Sequence, residues 1–333
     1  MKKIIFLLST AAILASCSST KKIDTVSKAM DNVEKINELK FPKVNAIQIA
    51  QDVAFLASDD LKGRDTGSEG IEKAAAYLSE RFQEMGIASY KGAYLDNFDA
   101  KGKKAFNVVA MIPGSDKALK DEVVVIGAHY DHIGILQAVA GDSIANGAND
   151  NATGTASVLA LAANFQEIDF NRRTVVFALF SAEEKGLLGS KHLANRMKEE
   201  GENVVAMLNF EMTGTPMVNR PYIAYLTGHD GSNMAAVFND ANINRVVTGK
   251  LDQAAKFNLF KRSDNYPFFE AFNVPSQTFS TFDFTNFDHY HKVGDDTTQV
   301  NTDHMAQLVN AVMPGVFSVV NGKKLKLTPA TNE

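Results

Sequence analysis

The sequence feature that most constrains the fold is the apolar run Thr174–Phe180, which ends shortly before two adjacent glutamates. The run is β-branched, aromatic or otherwise apolar with no polar alternation, which is typical of a strand buried on both faces of a sheet. Carboxylates are costly to bury unless they are paired, hydrogen-bonded or bound to metal. Glu183 and Glu184 therefore either face a ligand beyond the carboxyl end of this strand, or simply open the next helix, whose N-terminus favours acidic residues.

Strand-like apolar runs alternate with helical segments along most of the chain. The predicted strands are 106–112, 123–128, 174–180, 204–210, 222–226 and 276–279. The predicted helices are 45–57, 68–86, 152–165, 187–197, 232–239, 265–272 and 303–320. This alternation predicts an α/β protein with a largely parallel central sheet and helices on both faces.

The N-terminus has the pattern of a processing signal. Lys2 and Lys3 precede a short apolar stretch, and the only cysteine of the chain, Cys17, follows Leu14-Ala15-Ser16. This pattern resembles the lipobox of bacterial lipoproteins, in which the cysteine becomes the lipidated first residue; the alternative is an ordinary secretory signal. We expect a signal peptide at 1–17, a polar tether with a marginal helix at 18–42, and a catalytic domain at 43–333. The expected location is the bacterial cell envelope, on the periplasmic or outer-membrane side, with membrane attachment through Cys17.

Composition and missing motifs exclude several classes of protein. The net charge is −5 and no basic stripe is present, which argues against a nucleic-acid partner. The glycine-rich segment 147–154 lacks the lysine of a phosphate-binding loop and the G-x-G-x-x-G spacing. No G-x-S-x-G sequence occurs, which argues against a serine hydrolase of the α/β type.

Polar clusters follow other apolar runs as well. They are His129-Tyr130-Asp131-His132, Asp150 within 147–154, Glu211, and Asp288-His289-Tyr290-His291 with Asp295-Asp296 close behind. Taken singly, each has a structural explanation: a hydrogen-bonded His129, a helix cap at Asp150, or a loop position for Glu211. Together they would meet at one edge of a parallel sheet. Imidazole and carboxylate without thiolate is a ligand set suited to zinc, with other divalent ions as alternatives.

At this level of detail the chain resembles the zinc aminopeptidase family with two co-catalytic metals, which includes bacterial leucyl aminopeptidases and glutamate carboxypeptidases. The segments that carry the resemblance are 128–132, 147–154, 181–184 with Gly186 and Gly189, 209–212, 290–291 with Asp296-Thr297, 56–64, 67–68 and 262–264. The resemblance covers nearly all of the mature chain. It implies a three-layer α/β/α fold with a mostly parallel, mixed central sheet.

The resemblance also implies a ligand set for two zinc ions per chain. One ion would be held by His129, Asp150 and Glu211, and the other by Asp150, Glu184 and His291. Asp150 would bridge the two ions, as a shared carboxylate does in two-metal hydrolases.

The remaining roles follow from the same resemblance. Glu183 would be the general base that takes a proton from the attacking water and passes it to the leaving amine. Asp131 would orient His129, and Tyr290 would stabilise the oxyanion.

Two positions and two segments depart from a simple match. Glu211 stands where the family usually has Asp, and His289 competes with His291, which the Tyr-His pattern favours. The connection 87–105 is too short for the lid domain that some relatives insert, and 132–148 is expected to form one wall of the site. The other histidines are expected to be structural, with His132 close enough to line the pocket; they are His132, His192, His229 and His304.

The predicted function is an extracytoplasmic metallo-aminopeptidase that hydrolyses N-terminal residues from peptide substrates. One alternative is a single-zinc glutaminyl cyclase, since those acyltransferases share this fold. Their pockets are rich in tryptophan, whereas this chain contains none. A second alternative is a non-catalytic binding protein on the same fold. All five predicted ligand positions keep a side chain able to bind metal, which argues against it.

Overall fold

A mixed β-sheet forms the centre of the computed structural model, which describes residues 40–242 and 244–329. The strands are β1 (Ala88–Ser89), β2 (Leu95–Ala100), β3 (Lys103–Ile112), β4 (Glu122–His129), β5 (Gly134–Val139), β6 (Asp142–Ala145), β7 (Thr174–Phe180), β8 (Asn203–Glu211), β9 (Ala224–Leu226), β10 (Thr248–Gly249) and β11 (Ser276–Ser280). The main sheet has the order β1-β3-β7-β4-β8-β11-β9-β10, and β2 pairs with β3. The predicted signal peptide with Cys17, and the tether up to residue 39, lie outside the described residues.

The parallel strands lie in the middle of the sheet, and this arrangement positions the site. β4 pairs in parallel with β7 and β8, and β11 pairs in parallel with β8. Antiparallel pairing appears towards the edges, where β3 meets β7 and β9 meets β11. His129 is in register with Phe180, and Glu211 with Ser280. Four carboxyl ends are therefore level at one edge of the sheet, as the apolar runs predict.

Helices cover both faces of the sheet. They are α1 (Ala46–Leu56), α2 (Glu69–Glu84), α3 (Thr153–Ile168), α4 (Leu188–Glu199), α5 (Met234–Asp240), α6 (Asp252–Lys256), α7 (Asn265–Phe272) and α8 (Thr302–Val320). Phe177 of β7 packs against Phe82 of α2 and Phe165 of α3. Phe180 of the same strand packs against Phe268 of α7 on the opposite face. Side chains of one strand thus serve two cores, which explains why β7 shows no polar alternation.

A buried arginine connects the segments that lead into the site. Arg64 has no exposed surface and donates hydrogen bonds to four main-chain carbonyls, those of Leu56, Tyr130 (2.7 Å), Asn146 (2.6 Å) and Gly147 (2.9 Å). Burial lowers the pKa of the guanidinium to about 10, while the carboxylates around it act in the opposite direction. The planar guanidinium can serve several acceptors at fixed angles. Arg64 therefore joins the end of α1, the end of β4 and the segment that precedes Asp150.

Several strands at or beyond the edges of the sheet are not among those predicted from the sequence. β2 has the sequence Leu-Asp-Asn-Phe-Asp-Ala, and its two buried positions are Asp96 and Ala100, so that one of them is charged. Asp96 is tolerated there because Asn107 (2.9 Å) and Arg196 (2.9 Å) bind its carboxylate. Strands β5 and β6 form a separate hairpin within the segment predicted to be a wall of the site. No helix of the described residues is long and apolar enough to cross a membrane.

The hydrogen bonds of Arg64 predict a large cost for a conservative exchange. Arg64→Lys keeps the charge, but a lysine ammonium cannot reach four carbonyls at these angles. Each buried carbonyl left without a donor costs about 1–3 kcal/mol, so we expect a loss of at least about 2 kcal/mol in the free energy of unfolding, measured by urea denaturation. Arg220→Lys, at an exposed position, should stay within about 0.5 kcal/mol of the parent. Equal stability of the two variants would contradict the role given to Arg64.

Candidate metal centre

The site lies at the level edge of the parallel strands and is built from strand ends and the loops that follow them. His129 ends β4, Glu211 ends β8, and Glu183-Glu184 follow β7 after Ala182. Ala182 has a φ of 57°, a left-handed conformation that non-glycine residues rarely adopt. The backbone turns there as it leaves the strand. The site thus depends on local geometry as well as on strand order.

The carboxylate of Asp150 lies between two imidazoles. Its Oδ1 is 3.4 Å from Nε2 of His129, and its Oδ2 is 3.2 Å from Nε2 of His291. Nε2 of His291 is also 3.2 Å from Oε1 of Glu184. One oxygen of Asp150 therefore faces each imidazole, which is the arrangement that a bridging carboxylate requires. The structure brings together four of the five predicted ligands in this way.

The fifth predicted ligand, Glu211, lies in the same cavity but is not part of this contact network. Among the described residues, no ion pair joins it to a histidine. Its Oε2 is buried and has no hydrogen-bond partner among the residues that the structure describes. Burial raises the pKa of Glu211 to about 7, and the charges of Asp150 and Glu184 add to the effect, while His129 opposes it. A buried carboxylate oxygen without a partner is a position that a cation would stabilise.

The surroundings of His129 favour the tautomer that can bind a metal ion through Nε2. Its Nδ1 lies 3.2 Å from the main-chain carbonyl of Asp131, and 3.7 Å from Oδ1 of the same residue. When Nδ1 carries the proton and donates to the carbonyl, Nε2 is left with a free lone pair directed towards Asp150. Asp131 thus orients the ring chiefly through its main chain.

The carboxylate of Asp131 has a second task, which the sequence did not reveal. It is fully buried and accepts the main-chain N–H of Glu183 at 3.1 Å and that of Glu184 at 3.3 Å. Both oxygens of Asp131 are used. The residue therefore fixes the backbone from which the two glutamate side chains project into the site.

The two adjacent glutamates differ in their electrostatic surroundings. Burial raises the pKa of Glu183 well above its ordinary value, and the charges of Glu211 and Asp264 contribute while His129 opposes them. Burial acts in the same direction on Glu184, but its hydrogen bonds with His132 and His291 win and lower its pKa below the ordinary value. Glu184 is therefore ionised and bound by imidazoles, whereas Glu183 favours its proton.

Tyr290 lies beside the cluster, and His289 does not. The ring of Tyr290 stacks on that of His291 with 4.0 Å between centroids, and burial raises the pKa of the phenol above its ordinary value. The hydroxyl therefore keeps its proton at neutral pH and is available as a donor. The ring of His289 packs instead against Phe287, 5.7 Å between centroids. The geometry favours His291 over His289 as a ligand.

Beside these groups is a cavity of about 420 Å³ lined by two unlike sets of side chains, which we call its polar and its apolar wall. The polar wall comprises four carboxylates, one imidazole and two cationic side chains, which are Asp150, Glu183, Glu184, Glu211, His291, Lys261 and Arg262. The apolar wall comprises Met212, Tyr225, Leu259, Phe282, Phe284 and Tyr290. A molecule with one cationic end and one apolar end would match both walls.

Two residues of the site, Asp295 and His132, were not assigned a role from the sequence. Asp295 is fully buried and its two carboxylate oxygens accept the main-chain N–H groups of Asn149 (2.7 Å) and Asp150 (3.0 Å). Its own carbonyl accepts the N–H of Ala148 at 3.1 Å. Asp295 thereby ties the loop of Asp150 to the loop of His291. The available signal was its position four residues after His291, but hydrogen bonds across the chain are not readable from spacing.

His132 is a second missed residue. From the sequence it is expected to be structural but close enough to line the pocket, and the structure places it fully buried with Nδ1 3.1 Å from Oε1 of Glu184. His132, Asp150 and Glu184 each offer one ligand atom, and these atoms lie within 4.8 Å of one another.

The donor set fits a zinc centre. It consists of imidazole nitrogens and carboxylate oxygens, the ligands that zinc accepts besides thiolate. Glu211 contributes a buried oxygen without a partner, and the pKa of Glu183, of Glu211 and of Asp264 is raised because too little positive charge is present to offset their burial. Divalent cations at this edge would supply that charge.

Fold and donor set together define a metallopeptidase-like hydrolase scaffold. A family model described as Peptidase family M28 matches residues 107–315, which is more than half of the chain. The chain belongs to peptidase family M28. This confirms the resemblance on which the site was predicted.

Two relatives show what the matching region is similar to. A probable leucine aminopeptidase of Trichophyton verrucosum is 34% identical over 157 residues, which are 46% of this chain and 40% of the relative. Leucine aminopeptidase 1 of Uncinocarpus reesii is 30% identical over 205 residues, which are 55% of this chain and 50% of the relative. The matches thus span about half or less of the length of these relatives.

Solved structures share the fold. LapA aminopeptidase of Legionella pneumophila matches with a TM-score of 0.66 at 20% identity, covering 97% of this chain and 79% of that one. The zinc aminopeptidase BSAP of Bacillus subtilis gives 0.66 at 14% identity, with 86% and 97% covered. A glutaminyl cyclase of Bacteroides thetaiotaomicron gives 0.61 at 15% identity, with 86% and 100% covered. The predicted α/β fold with a mixed central sheet and helices on both faces is confirmed.

The buried acids predict how the stability of the metal-free protein depends on pH. Glu211 and Asp264 have pKa values of about 7, above their ordinary values of 4.5 and 3.8, and that of His291 is raised to about 10. The folded state then binds more protons than the unfolded state, so stability falls as the pH rises from 5 to about 8. His304, whose pKa is lowered to about 4, acts in the opposite direction only below its ordinary value of 6.5.

The measurement is urea denaturation in the presence of a chelator between pH 5 and pH 8. Glu211→Gln removes one titrating group and should reduce the slope. Stability that increases with pH across this range would show that these carboxyl groups are not held in their acid form.

Proposed function

We propose that the chain is an extracytoplasmic metallo-aminopeptidase that removes N-terminal residues from peptides with the aid of two zinc ions. The observation that carries the proposal is the position of Asp150, with one carboxylate oxygen towards His129 and the other towards His291. A carboxylate placed in this way serves two cation positions rather than one. Membership of the M28 family and the similarity to leucine aminopeptidases support the reaction class.

In this proposal His129, Asp150 and Glu211 hold one ion, and Asp150, Glu184 and His291 hold the other. Zinc, when bound, supplies Lewis-acid polarisation of the peptide carbonyl and increases the acidity of water. The protein supplies positions for both ions at the carboxyl edge of the sheet. The hydrogen bonds of Asp131 and Asp295 hold the ligand loops in place.

Glu183 moves the proton. It faces the cavity and belongs to no ion pair within the described residues, so its carboxylate is free to accept a proton from the attacking water. Burial favours the protonated form of Glu183, which then delivers the proton to the leaving amine. Tyr290, whose hydroxyl keeps its proton, donates a hydrogen bond to the oxygen on which negative charge develops.

The two walls of the cavity suggest how a substrate is oriented. The free amino group of a peptide is cationic and is attracted by the carboxylates of the polar wall. The side chain of the first residue then contacts the apolar wall, which includes Met212, Tyr225 and Phe282. We therefore expect faster cleavage after N-terminal leucine or phenylalanine than after aspartate, because the carboxylates of the cavity lining outnumber its two cationic side chains, Lys261 and Arg262.

Exchange of the proposed base tests the mechanism. Glu183→Gln keeps the shape of the side chain but cannot take up a proton, so kcat on leucine nitroanilide should fall by about 10²–10⁴-fold. The control is Glu199→Gln, at an exposed position of α4, which should keep full activity. Both proteins should contain two zinc ions per chain by elemental analysis.

The outcomes separate the candidate functions. Undiminished turnover by Glu183→Gln would show that the base is misassigned. Absence of chelator-sensitive turnover in the parent protein would favour a binding protein. A single tightly held zinc together with cyclisation of N-terminal glutamine would favour a glutaminyl cyclase.

We also propose that the mature protein is attached to the cell envelope through lipid on Cys17. The support is the position of the only cysteine directly after Leu14-Ala15-Ser16. In a bacterial host, the full chain should incorporate a fatty-acid label and fractionate with membranes, since more than one acyl chain on a protein anchors it stably. Cys17→Ser should abolish the label. Label that persists in Cys17→Ser would exclude this anchor.

A further inference from the structure

The position of His132 has no counterpart in the predicted ligand set. The residue follows His129 by three positions and is fully buried at the carboxyl edge of β4. Its Nδ1 is 3.1 Å from Oε1 of Glu184 and 3.9 Å from Oδ2 of Asp150. Both of these oxygens also lie 3.2 Å from Nε2 of His291. Two imidazoles thus approach the same pair of carboxylate oxygens.

The spacing of these donor atoms is close to that of a zinc coordination shell. Ligand atoms bound at about 2.0–2.2 Å in a tetrahedron lie about 3.3–3.6 Å from one another. Three of the separations here, 3.1, 3.2 and 3.2 Å, are slightly shorter than this range, and the fourth, 3.9 Å, is slightly longer. The four atoms come from His132, Asp150, Glu184 and His291.

The rest of the His132 ring is held in place without polar contacts. Its Nε2 is buried and has no hydrogen-bond partner among the described residues. The other side of the ring packs on Gly147, where an added Cβ would lie only 2.5 Å from Cγ of the imidazole. The polar contacts of the ring are therefore confined to its Nδ1, which faces the carboxylates. When Nδ1 binds a cation, the neutral ring carries its proton on Nε2, and the interaction at Nδ1 has to offset the cost of burying that N–H group without a partner.

We infer that Nδ1 of His132 is a fourth protein ligand of the ion held by Asp150, Glu184 and His291. The inference rests on the metal centre of the proposed function and adds one residue to it. It makes the two ion positions unequal. One has four protein donors, and the other has three, His129, Asp150 and Glu211, and so keeps a position for an exogenous ligand.

An isosteric exchange distinguishes a ligand from a hydrogen-bonding neighbour. In His132→Asn, the amide nitrogen takes the place of Nδ1 and can still donate to Glu184, but an amide nitrogen is not a zinc ligand. Loss of an outer hydrogen-bonding partner typically costs about 10–100-fold in metal affinity. We therefore expect the affinity of one of the two zinc positions to fall by more than about 100-fold, measured by competition with a chromophoric chelator.

The matched control is His192→Asn. His192 also lies close to a carboxylate, with Nε2 3.2 Å from Oδ1 of Asp96, but it is not among the residues that line the cavity. This variant should bind both ions as the parent does.

The visible absorption of the protein loaded with Co²⁺ gives a second readout that does not depend on activity. It should change in His132→Asn, because one nitrogen donor is lost, and remain unchanged in His192→Asn.

A measurement on the unmodified chain removes dependence on the folding of a variant. Long-range ¹H–¹⁵N spectra report which ring nitrogen of each histidine carries a proton or a metal. On addition of Zn²⁺, Nδ1 of His132 should lose its proton and take the shift of a metal-bound nitrogen.

Retention of the proton on Nδ1 with two zinc ions bound would overturn the inference and leave the proposed function intact. Unchanged zinc affinity and cobalt absorption in His132→Asn would do the same. Failure of the unmodified chain to bind two ions would overturn both.

Discussion

The crowding of buried carboxylates at one edge of the sheet is the constraint on which the rest of the structure depends. Burial raises the pKa of Glu183, Glu211 and Asp264, and the charges of neighbouring carboxylates add to the effect. Such a group of acids is stable only if cations or hydrogen-bond donors surround it. Arg64 places a positive charge close to other carboxylates of this edge, among them Asp150 and Glu184. The imidazoles of His129 and His291 lie 3.4 and 3.2 Å from the oxygens of the same two carboxylates. The remaining deficit of positive charge is the physical reason why this edge suits divalent ions.

The carboxylates divide into two kinds according to what they contact. Asp131 and Asp295 accept main-chain N–H groups with both oxygens, and so they hold the backbone on which the ligands are mounted. Glu183 and Glu211 line the cavity instead. A carboxylate engaged with two N–H groups has little freedom to bind anything else. Carboxylates of this edge thus either hold the backbone or line the cavity. Whether main-chain N–H groups lie within hydrogen-bond distance distinguishes the two kinds.

Much of this arrangement could be predicted from the sequence, because the signals were local. The run Thr174–Phe180 is apolar throughout, and its strand has the predicted limits. The clusters after the apolar runs also pointed to the correct edge of the sheet. The contacts of His132, Asp295 and Arg64 could not be predicted, since each depends on residues distant along the chain. Strand β2 was missed because one of its two buried positions is filled by Asp96, whose polar character hides the usual alternation.

The hydrogen bonds between Asp295 and the loop of Asp150 have a consequence for the order in which the chain is synthesised, folds and takes up metal. The two hydrogen bonds join residues that are 145 and 146 positions apart in the sequence. The hydrogen bond from Arg64 to Gly147 spans another 83 positions. The pocket for the ions is therefore incomplete until nearly the whole domain has been synthesised and has folded. Long-range contacts of this kind form slowly, and ions that bind only the completed pocket stabilise the whole domain at once. Metal uptake would then be a final step of maturation, taken in whichever compartment the finished chain first reaches its folded state.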